Sequence, residues 1–181
     1  ISITVAMGQG ALNGILLRNA EAVEKLRDVD TLVMDKTGTL TLGKPQLTDL
    51  VVEGIEENDA LTLIASLERA SEHPLAQAIV KSAEDRGVRL SPVEKFESVT
   101  GQGVLGEIGG RKVAVGSRRF MESQGAVPPS LAERADALRS QGKTALYAAI
   151  DGRAAAVIAV ADPIKETTHD AIRMLQAEGV K

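Results

Sequence analysis

Seven consecutive residues that begin at Asp35 have the types and order that phosphoryl transfer requires. An apolar run over residues 31–34 leads directly into Asp35-Lys36-Thr37-Gly38-Thr39-Leu40-Thr41. A buried strand ending at Asp35 would place this carboxylate at the C-terminal edge of a parallel sheet, where turn N–H groups can face an anion. Asp35 could attack phosphorus and form an aspartyl-phosphate, while Lys36 screens the incoming charge and Gly38 lets the backbone approach closely. The alternative is that Asp35 only opens a turn after a strand.

Composition is that of an ordinary globular protein. The 181 residues are 44% hydrophobic and 25% charged, enough for one good core or two small ones. The net charge is −4 with both signs interspersed, which indicates no nucleic-acid partner. The absence of cysteine excludes disulfides and thiolate metal sites within this chain. Aromatic residues make up 2%, so the core must be built from aliphatic side chains.

Residues 1–27 are predicted to be helical, with apolar residues at helical spacing. The uncharged run over 1–17 is interrupted by Gly8, Gly10 and Gly14, and is too short for a bilayer of about 30 Å. The chain starts without Met and stops at Lys181, just after the predicted end of a helix and at the expected start of a strand. We therefore expect it to be a piece of a longer protein.

Two nucleotide-binding patterns are near-misses. The segment from Gly38 to Pro45 resembles a P-loop, but Pro45 replaces the hydroxyl residue that would hold Mg²⁺. The segment from Gly101 to Gly106 fits a dinucleotide fingerprint, yet a strand and a tight turn follow it instead of a helix. We therefore exclude both motifs.

An α+β region is predicted to interrupt the domain that contains Asp35. Asn58 or Asp59 can cap a helix to Ala70, and Pro74 can open a second helix to about residue 86. This leaves His73 at a helix N-terminus, where it could face a ligand or serve only as a cap. Alternation and turn residues then predict an antiparallel sheet and two short helices over 93–99, 104–108, 111–115, 118–123, 129–140, 145–150 and 153–160.

The chain is predicted to leave this region at Asp162-Pro163. Pro163 would stiffen a hinge and Asp162 would return an acid towards the first domain, although a plain strand exit would look the same. A final helix is predicted over 167–178, with Ala171, Ile172 and Leu175 buried.

The order of four motifs resembles the heavy-metal-transporting P-type ATPases, and copper pumps in particular. These motifs are Asp-Lys-Thr-Gly-Thr-Leu-Thr from Asp35, Ser-Glu-His-Pro-Leu from Ser71, Gly-Gln-Gly from Gly101 and Asp-Pro-Ile-Lys from Asp162. The first motif marks P-type ATPases in general, and the His-Pro pair marks the metal-transporting branch. The resemblance covers nearly the whole chain.

The resemblance implies a catalytic role for Asp35, Lys36 and Thr37. Asp35 would accept the γ-phosphate of MgATP, and Asp35 and the Thr37 region would contribute to Mg²⁺ binding. Related phosphatases carry a second Asp where this chain has Thr37, and a threonine cannot serve as the base that helps water hydrolyse the intermediate. The aspartyl-phosphate is therefore expected to persist, as a pump requires.

The resemblance also implies a nucleotide site in the inserted region. Its residues would be Glu68 near adenine, His73, the glycines Gly101 and Gly103, and Ser117 where the family usually has Asn. The glycines are expected to leave room for a flat purine. Asp162 and Pro163 would form the hinge.

The implied fold class is α/β, with an incomplete haloacid-dehalogenase-like Rossmannoid phosphorylation domain interrupted by an α+β nucleotide-binding domain with an antiparallel sheet. The expected divisions are 1–27 for the end of a membrane helix and a linker helix, 28–45 and 159–181 for the phosphorylation domain, and 46–158 for the nucleotide-binding domain. The implied cofactors are ATP and Mg²⁺. The full-length protein would lie in a membrane with this portion cytoplasmic, together with transmembrane and actuator domains that accompany it.

Function is thus expected to be ATP-driven export of a heavy-metal cation, with Cu(I) favoured. The alternatives are a Zn(II) or Cd(II) pump, a soluble phosphatase of the same superfamily and a non-catalytic nucleotide-binding module. The ligands of the transported metal, and the later motifs that complete the Mg²⁺ site, would lie outside this chain. We therefore expect the 181 residues alone to bind nucleotide weakly without turning over ATP.

Overall fold

The computed structural model describes residues 2–125 and 127–181. Ile1, where the first predicted helix starts, and Ala126, inside the predicted inserted domain, lie outside the described residues. The described chain divides into two compact units. One contains the two ends of the chain, up to Leu40 and from Ile164, and the other is Thr41–Pro163.

Helices occupy both units. Of the helices in the described residues, the first two and the last belong to the unit of the chain ends, and the other four belong to the Thr41–Pro163 unit. Within the described residues the helices are α1 (Ile3–Leu12), α2 (Ala20–Arg27), α3 (Glu57–Glu68), α4 (Pro74–Asp85), α5 (Arg118–Gln124), α6 (Pro129–Ser140) and α7 (Thr168–Ala177).

The Thr41–Pro163 unit is organised around one antiparallel sheet. Its strand order is β1-β6-β5-β4-β3-β2, and each neighbouring pair is antiparallel. In the described part of the chain the strands are β1 (Gln46–Val52), β2 (Glu94–Val99), β3 (Gly103–Ile108), β4 (Arg111–Gly116), β5 (Thr144–Ile150) and β6 (Arg153–Ala161).

Strand alternation places helices on both faces of this sheet. On β6, Ile158 and Val160 join one buried cluster with α3 and α4, whereas Val157 joins a second cluster with α5 and α6. Because successive side chains point to opposite faces, near-continuous apolar strands such as β6 are expected in a sheet covered on both sides. Tyr147 is fully buried in the second cluster.

Most predicted elements of this unit are confirmed within one or two residues. Two details were wrong. β1 was not predicted, and α3 begins with Glu56 at its N-cap, without a side-chain cap hydrogen bond, so Asn58 and Asp59 lie inside the helix. β1 was missed because its alternation is short and carries Asp49, and its pairing partner is the distant β6.

The helical prediction for residues 1–27 is confirmed over Ile3–Leu12 and Ala20–Arg27 and was wrong for the segment between them. α1 ends at the C-cap Asn13, and Gly14 adopts a φ of 78° that a continuing helix cannot accommodate. Asn19 then caps α2 by accepting a hydrogen bond from the backbone N–H of Ala22. Apolar residues recur at helical spacing on both sides of this break. The spacing alone therefore did not reveal the C-cap at Asn13 or the N-cap at Asn19.

The buried strand predicted over residues 31–34 is not formed as such. Val33 is 93% exposed, and residues 31–34 form no strand. The backbone of this segment does pair with Lys181, whose N–H donates to Asp30 and whose carbonyl accepts from Leu32, both at 2.8 Å. These two bonds have the pattern of a single parallel bridge, and one bridge does not bury a strand.

The burial predicted for the last helix was also wrong in part. Ala171 is exposed, and Ile172 and Leu175 are half-buried. Among the described residues of α7, Thr168 is the buried one. Among the described residues, none of the helices combines the length and apolar character needed to cross a bilayer.

Candidate functional site

A cavity of about 260 Å³ gathers all five residues predicted to bind nucleotide. It lies where α3 ends and α4 begins, beside the β2–β3 turn and the C-terminal end of β4. The predicted residues that line it are Glu68, His73, Gly101, Gly103 and Ser117, and further lining residues include Ser71, Ser98, Gln102, Gly116 and Leu146. Residues far apart in sequence therefore converge on one concave surface, as ligand sites require.

A larger cavity of about 760 Å³ lies at the opposite end of β4. It is lined by Arg111, Asp151 and Arg153, together with residues around Gly54. None of the residues predicted to act on nucleotide borders it. The 260 Å³ cavity is the better candidate for the functional site although it is smaller, because the buried acid Glu68 lines it.

Close packing of neighbouring strands requires a glycine at position 103. A Cβ at Gly103 would lie 2.3 Å from the carbonyl oxygen of Val115 and 2.6 Å from Phe120 Cδ1. A Cβ at Gly116, the residue paired with Gly103 between β3 and β4, would also lie 2.6 Å from Phe120 Cδ1. The two glycines let β3, β4 and Phe120 approach closely, which is a packing requirement for Gly103 that the expected room for a purine did not include.

Gly101 has a different reason to be glycine. Its φ is 70°, and a Cβ there would meet nothing within 4 Å. The turn is closed by the N–H of Gln102, which donates to Val99, and by the carbonyl of Gln102, which accepts from Ser117 at 2.8 Å. Gly101 therefore shapes the rim of the cavity through its backbone conformation.

Ser117 is committed to the start of a helix. Its Oγ accepts a hydrogen bond from the backbone N–H of Phe120 at 3.3 Å, which caps α5. A hydroxyl also has a donor, so the side chain can cap the helix and still donate into the cavity.

His73 is the N-cap of α4. Its Nδ1 accepts a hydrogen bond from the N–H of Leu75 at 3.2 Å, and Pro74 occupies the first helical turn. Because Nδ1 is an acceptor here, the neutral ring carries its proton on Nε2. The cap thus fixes an exposed imidazole at the edge of the cavity. Its donor nitrogen, Nε2, lies on the side of the ring opposite the capping Nδ1.

Glu68 is a buried acid at the C-terminal end of α3, with 5% of its surface exposed. Burial away from water raises the pKa of its carboxyl from 4.5 to about 7, and a hydrogen bond with Ser71 opposes this only partly. A carboxyl with a pKa near neutrality beside a cavity is a feature of functional sites. The sequence pointed to this residue through family resemblance and gave no sign of its burial.

The raised pKa predicts that stability falls as pH increases. Between pH 4.5 and 7 the folded protein retains a proton on Glu68 that the unfolded chain has released, so stability is full below this window and lost through it. We expect the free energy of unfolding to drop by about 3 kcal/mol between pH 4 and pH 8 from this group. Urea denaturation followed by the fluorescence of Tyr147 measures it, since Tyr147 is the single tyrosine and there is no tryptophan.

Glu68→Gln should abolish this contribution, whereas the exposed Glu84→Gln should leave it intact. An equal pH dependence in the Glu68→Gln protein would contradict the assignment.

The Asp35 motif forms a wide turn in the unit of the chain ends. Asp35 and Thr37 are exposed, and within the turn Lys36–Leu40 the residue Gly38 has a φ of 76°. Lys165 Nζ donates to the carbonyl of Gly38 at 2.9 Å, and its backbone N–H donates to Leu40.

Thr168 Oγ1 also donates to the Leu40 carbonyl, at 2.8 Å. The segment after the predicted hinge therefore holds the turn that carries Asp35.

Asp162 joins the two ends of the Thr41–Pro163 unit through hydrogen bonds. Its carboxylate accepts hydrogen bonds from the Oγ1 of the buried Thr41 and from the backbone N–H groups of Gly43 and Lys44. The carbonyl of Pro163 accepts from Leu42 at 2.9 Å. The two chain segments that lead into and out of this unit are thus fastened side by side.

The site residues fall into two groups. The five nucleotide residues lie in the Thr41–Pro163 unit, as do Asp162 and Pro163, whereas Asp35, Lys36 and Thr37 lie in the unit of the chain ends. Sequence reasoning missed Gly116, Ser71, Lys165 and Thr168 as supporting residues. Gly116 could have been found because it ends the run Val-Ala-Val-Gly over residues 113–116. The hydrogen bonds of Lys165 and Thr168 depend on tertiary structure.

Comparison with known proteins identifies the family of this chain. Residues 29–181 match the family model of haloacid dehalogenase-like hydrolases. The chain is 47% identical to the copper-exporting P-type ATPase of Legionella pneumophila, covering 100% of this chain and 25% of that protein. It is 49% identical to copper-transporting ATPase 2 of Rhizobium meliloti, covering 99% of this chain and 22% of that protein.

A solved relative is a zinc-transporting PIB-type ATPase in its E2·Pi state. The two share 32% identity with a TM-score of 0.87, over 99% of this chain and 29% of that one. The chain spans about a quarter of the length of these curated relatives. The resemblance inferred from the four motifs is confirmed over the whole chain, and the chain belongs to the haloacid dehalogenase-like hydrolase family, with the heavy-metal-transporting P-type ATPases as its relatives.

Proposed function

We propose that this chain supplies the phosphorylated aspartate and the ATP-binding unit of an ATP-driven heavy-metal pump. The observation that carries the proposal is the convergence of Glu68, His73, Gly101, Gly103 and Ser117 on one cavity. In this proposal the cavity holds the adenine end of ATP, and Asp35 in the other unit receives the γ-phosphate.

Chemistry at Asp35 is a displacement at phosphorus. A carboxylate oxygen forms a bond to the γ-phosphorus, the bond from that phosphorus to the β–γ bridging oxygen breaks, and ADP leaves with the electron pair. The exposed carboxylate and the turn held by Lys165 and Thr168 suit this role. Lys36 adjoins the reacting group and can offset the negative charge of the phosphates.

Mg²⁺ fits the oxygen donors of this turn only as an incomplete set. Asp35 and Thr37 offer the hard oxygen ligands that Mg²⁺ prefers. The described residues contain no group of three or more His, Cys, Asp or Glu side chains that could hold a metal ion. Asp35 and the Thr37 region would therefore share the ion with ATP oxygens and other protein ligands, and the ion would neutralise charge on the phosphates.

Thr37 favours a pump over a phosphatase. Its hydroxyl cannot take a proton from water near neutral pH, so the aspartyl-phosphate formed at Asp35 would be hydrolysed slowly. A persistent intermediate gives time for a conformational change in the rest of the protein. A non-catalytic nucleotide-binding module would have no need for the intact Asp35 motif.

Cu(I) is the favoured cargo, with Zn(II) or Cd(II) as the alternative. The relatives at 47% and 49% identity are named for copper, and the solved zinc-transporting relative is 32% identical. The full-length protein would be a membrane protein, with this portion on the cytoplasmic side and the transported ion bound by other segments. Its partners would be ATP and the transmembrane and actuator domains.

Substitution of His73 tests the nucleotide site. His73→Gln should weaken ATP binding to the 181-residue chain about tenfold, because an aromatic ring that stacks on a base contributes about 1–3 kcal/mol. Isothermal titration calorimetry with ATP measures the effect. His169→Gln, which changes the chain's other histidine in the unit of the chain ends, should leave ATP affinity unchanged.

His73→Asn keeps a side chain that can cap α4 and removes the ring, so it separates binding from helix stability. Equal ATP affinity for the wild-type and both His73 variants would refute the proposed site.

A further inference from the structure

Glu68 is a buried acid that lines the cavity. The other lining residues include the apolar Leu75, Ala76, Val104 and Val115 and the polar Ser71, Ser98, Gln102 and Ser117. A carboxyl held in this lining can form hydrogen bonds with the polar edge of a base that enters the cavity. A buried polar group of this kind discriminates strongly between ligands, because a mismatched partner leaves it without a hydrogen bond.

Charged groups on the elements packed against α3 lie outside the cavity lining. Of the described residues that line the cavity, Glu68 and His73 are the titratable ones. The charged residues on the packed elements are Lys81, Glu84 and Asp85 of α4, Asp49 of β1, Glu107 of β3, and Arg111 and Lys112 of β4. Burial and the hydrogen bond to Ser71 therefore dominate the protonation of Glu68.

We propose that the protonation state of Glu68 sets which purine the cavity accepts, with the neutral acid selecting adenine and the carboxylate admitting guanine. This inference rests on the proposed function, since it assumes that a purine nucleotide enters this cavity. It goes further by stating how the protonation state of the Glu68 carboxyl reverses the preference between the two bases.

Hydrogen-bond patterns provide the reason. A neutral carboxyl has one donor and one acceptor, which match N1 and the N6 amino group of adenine. A carboxylate has acceptors only, which match the N1–H and N2 amino donors of guanine and place an oxygen against adenine N1. Each state of Glu68 is therefore complementary to one base and mismatched to the other.

Both states are populated near neutral pH because burial raises the pKa of the Glu68 carboxyl to about 7. The neutral fraction falls about tenfold between pH 6 and pH 8, and apparent affinity scales with the competent fraction. ATP affinity should thus fall about tenfold over this range while GTP affinity rises about tenfold. The ratio of the two affinities should change about a hundredfold.

The experiment measures dissociation constants of ATP and GTP for the 181-residue chain at pH 6 and pH 8. Both nucleotides carry the same triphosphate, so its ionisation cancels in the ratio. Glu68→Gln provides a permanent donor and acceptor in the same shape, and its preference for ATP should persist at pH 8 without pH dependence. His73→Gln should weaken binding and still show the pH-dependent ratio.

Failure of this inference is distinguishable from failure of the proposed function. If ATP binds the wild-type chain with an ATP-to-GTP ratio that is the same at both pH values, the role of Glu68 is refuted while the nucleotide site stands. A ratio that changes equally in Glu68→Gln would also refute the role of Glu68 and leave the nucleotide site standing. If neither nucleotide binds at either pH, both the inference and the proposed site are refuted.

Discussion

Asp35→Asn is expected to abolish phosphoenzyme formation and ATP turnover in the intact protein, by a factor of about a thousand or more. An amide oxygen is a poor nucleophile, and no other acid lies within the turn Lys36–Leu40 that follows. ATP binding to the 181-residue chain should be unchanged, because the cavity residues belong to the Thr41–Pro163 unit. Acid-quenched labelling with γ-phosphate-labelled ATP measures the first effect, and calorimetry measures the second.

Asp30→Asn is the matched control for this substitution. Asp30 precedes the same motif and accepts a hydrogen bond from Thr31 Oγ1, which an amide oxygen can replace. Labelling should therefore proceed in the Asp30→Asn protein. Acid-stable label that persists in the Asp35→Asn protein would show that another residue is the nucleophile.

Gly103→Ala is expected to destabilise the Thr41–Pro163 unit by about 3 kcal/mol, the upper end of the usual cost of overpacking. The new Cβ would lie 2.3 Å from the carbonyl of Val115 and 2.8 Å from the Cα of Gly116, both of which are backbone atoms that cannot rotate away. Strands β3 and β4 would have to separate at the edge of the cavity. Urea denaturation followed by Tyr147 fluorescence measures the loss.

Gly101→Ala is the control for a glycine in the same motif. Its Cβ would meet nothing within 4 Å, so the cost is only that of a positive φ, about 1 kcal/mol. If the two alanine variants lose equal stability, the close packing of Gly103 against Gly116 is not what requires glycine there.

Local sequence pattern predicted most of the inserted unit. Strands β3 to β6 and helices α4 to α6 are bounded by glycine turns or proline starts, and their apolar residues repeat at the period of the element. Such signals depend only on neighbours in the sequence, so they can be recognised without knowledge of the fold. β1 lacked them because its burial comes from pairing with β6, more than a hundred residues later.

The unit of the chain ends was predicted less well for a physical reason. Apolar periodicity continued through Asn13 and Gly14, although capping and a positive φ end α1 there. The apolar run over residues 31–34 has strand composition, but burial of a strand requires partners on its sides, and the described contact is a single bridge with Lys181. Composition indicates what a segment prefers, while burial depends on what packs against it.

The family resemblance proposed Glu68, His73 and Gly103 as site residues, and the structure places all three around one cavity. The physical environment of these residues could not be predicted from the sequence. The burial that raises the pKa of Glu68 and the steric need for Gly103 arise from contacts across the sheet. Neither can be inferred from residue types along the chain.

Mapping of ATP on the 181-residue chain by ¹H–¹⁵N NMR tests the central claim most directly. We predict that ATP shifts the backbone signals of Glu68, His73, Gly101, Gly103 and Ser117 together, with a single dissociation constant. Shifts confined instead to the cavity at Arg111, Asp151 and Arg153, or the absence of any shift at the five residues, would contradict the account.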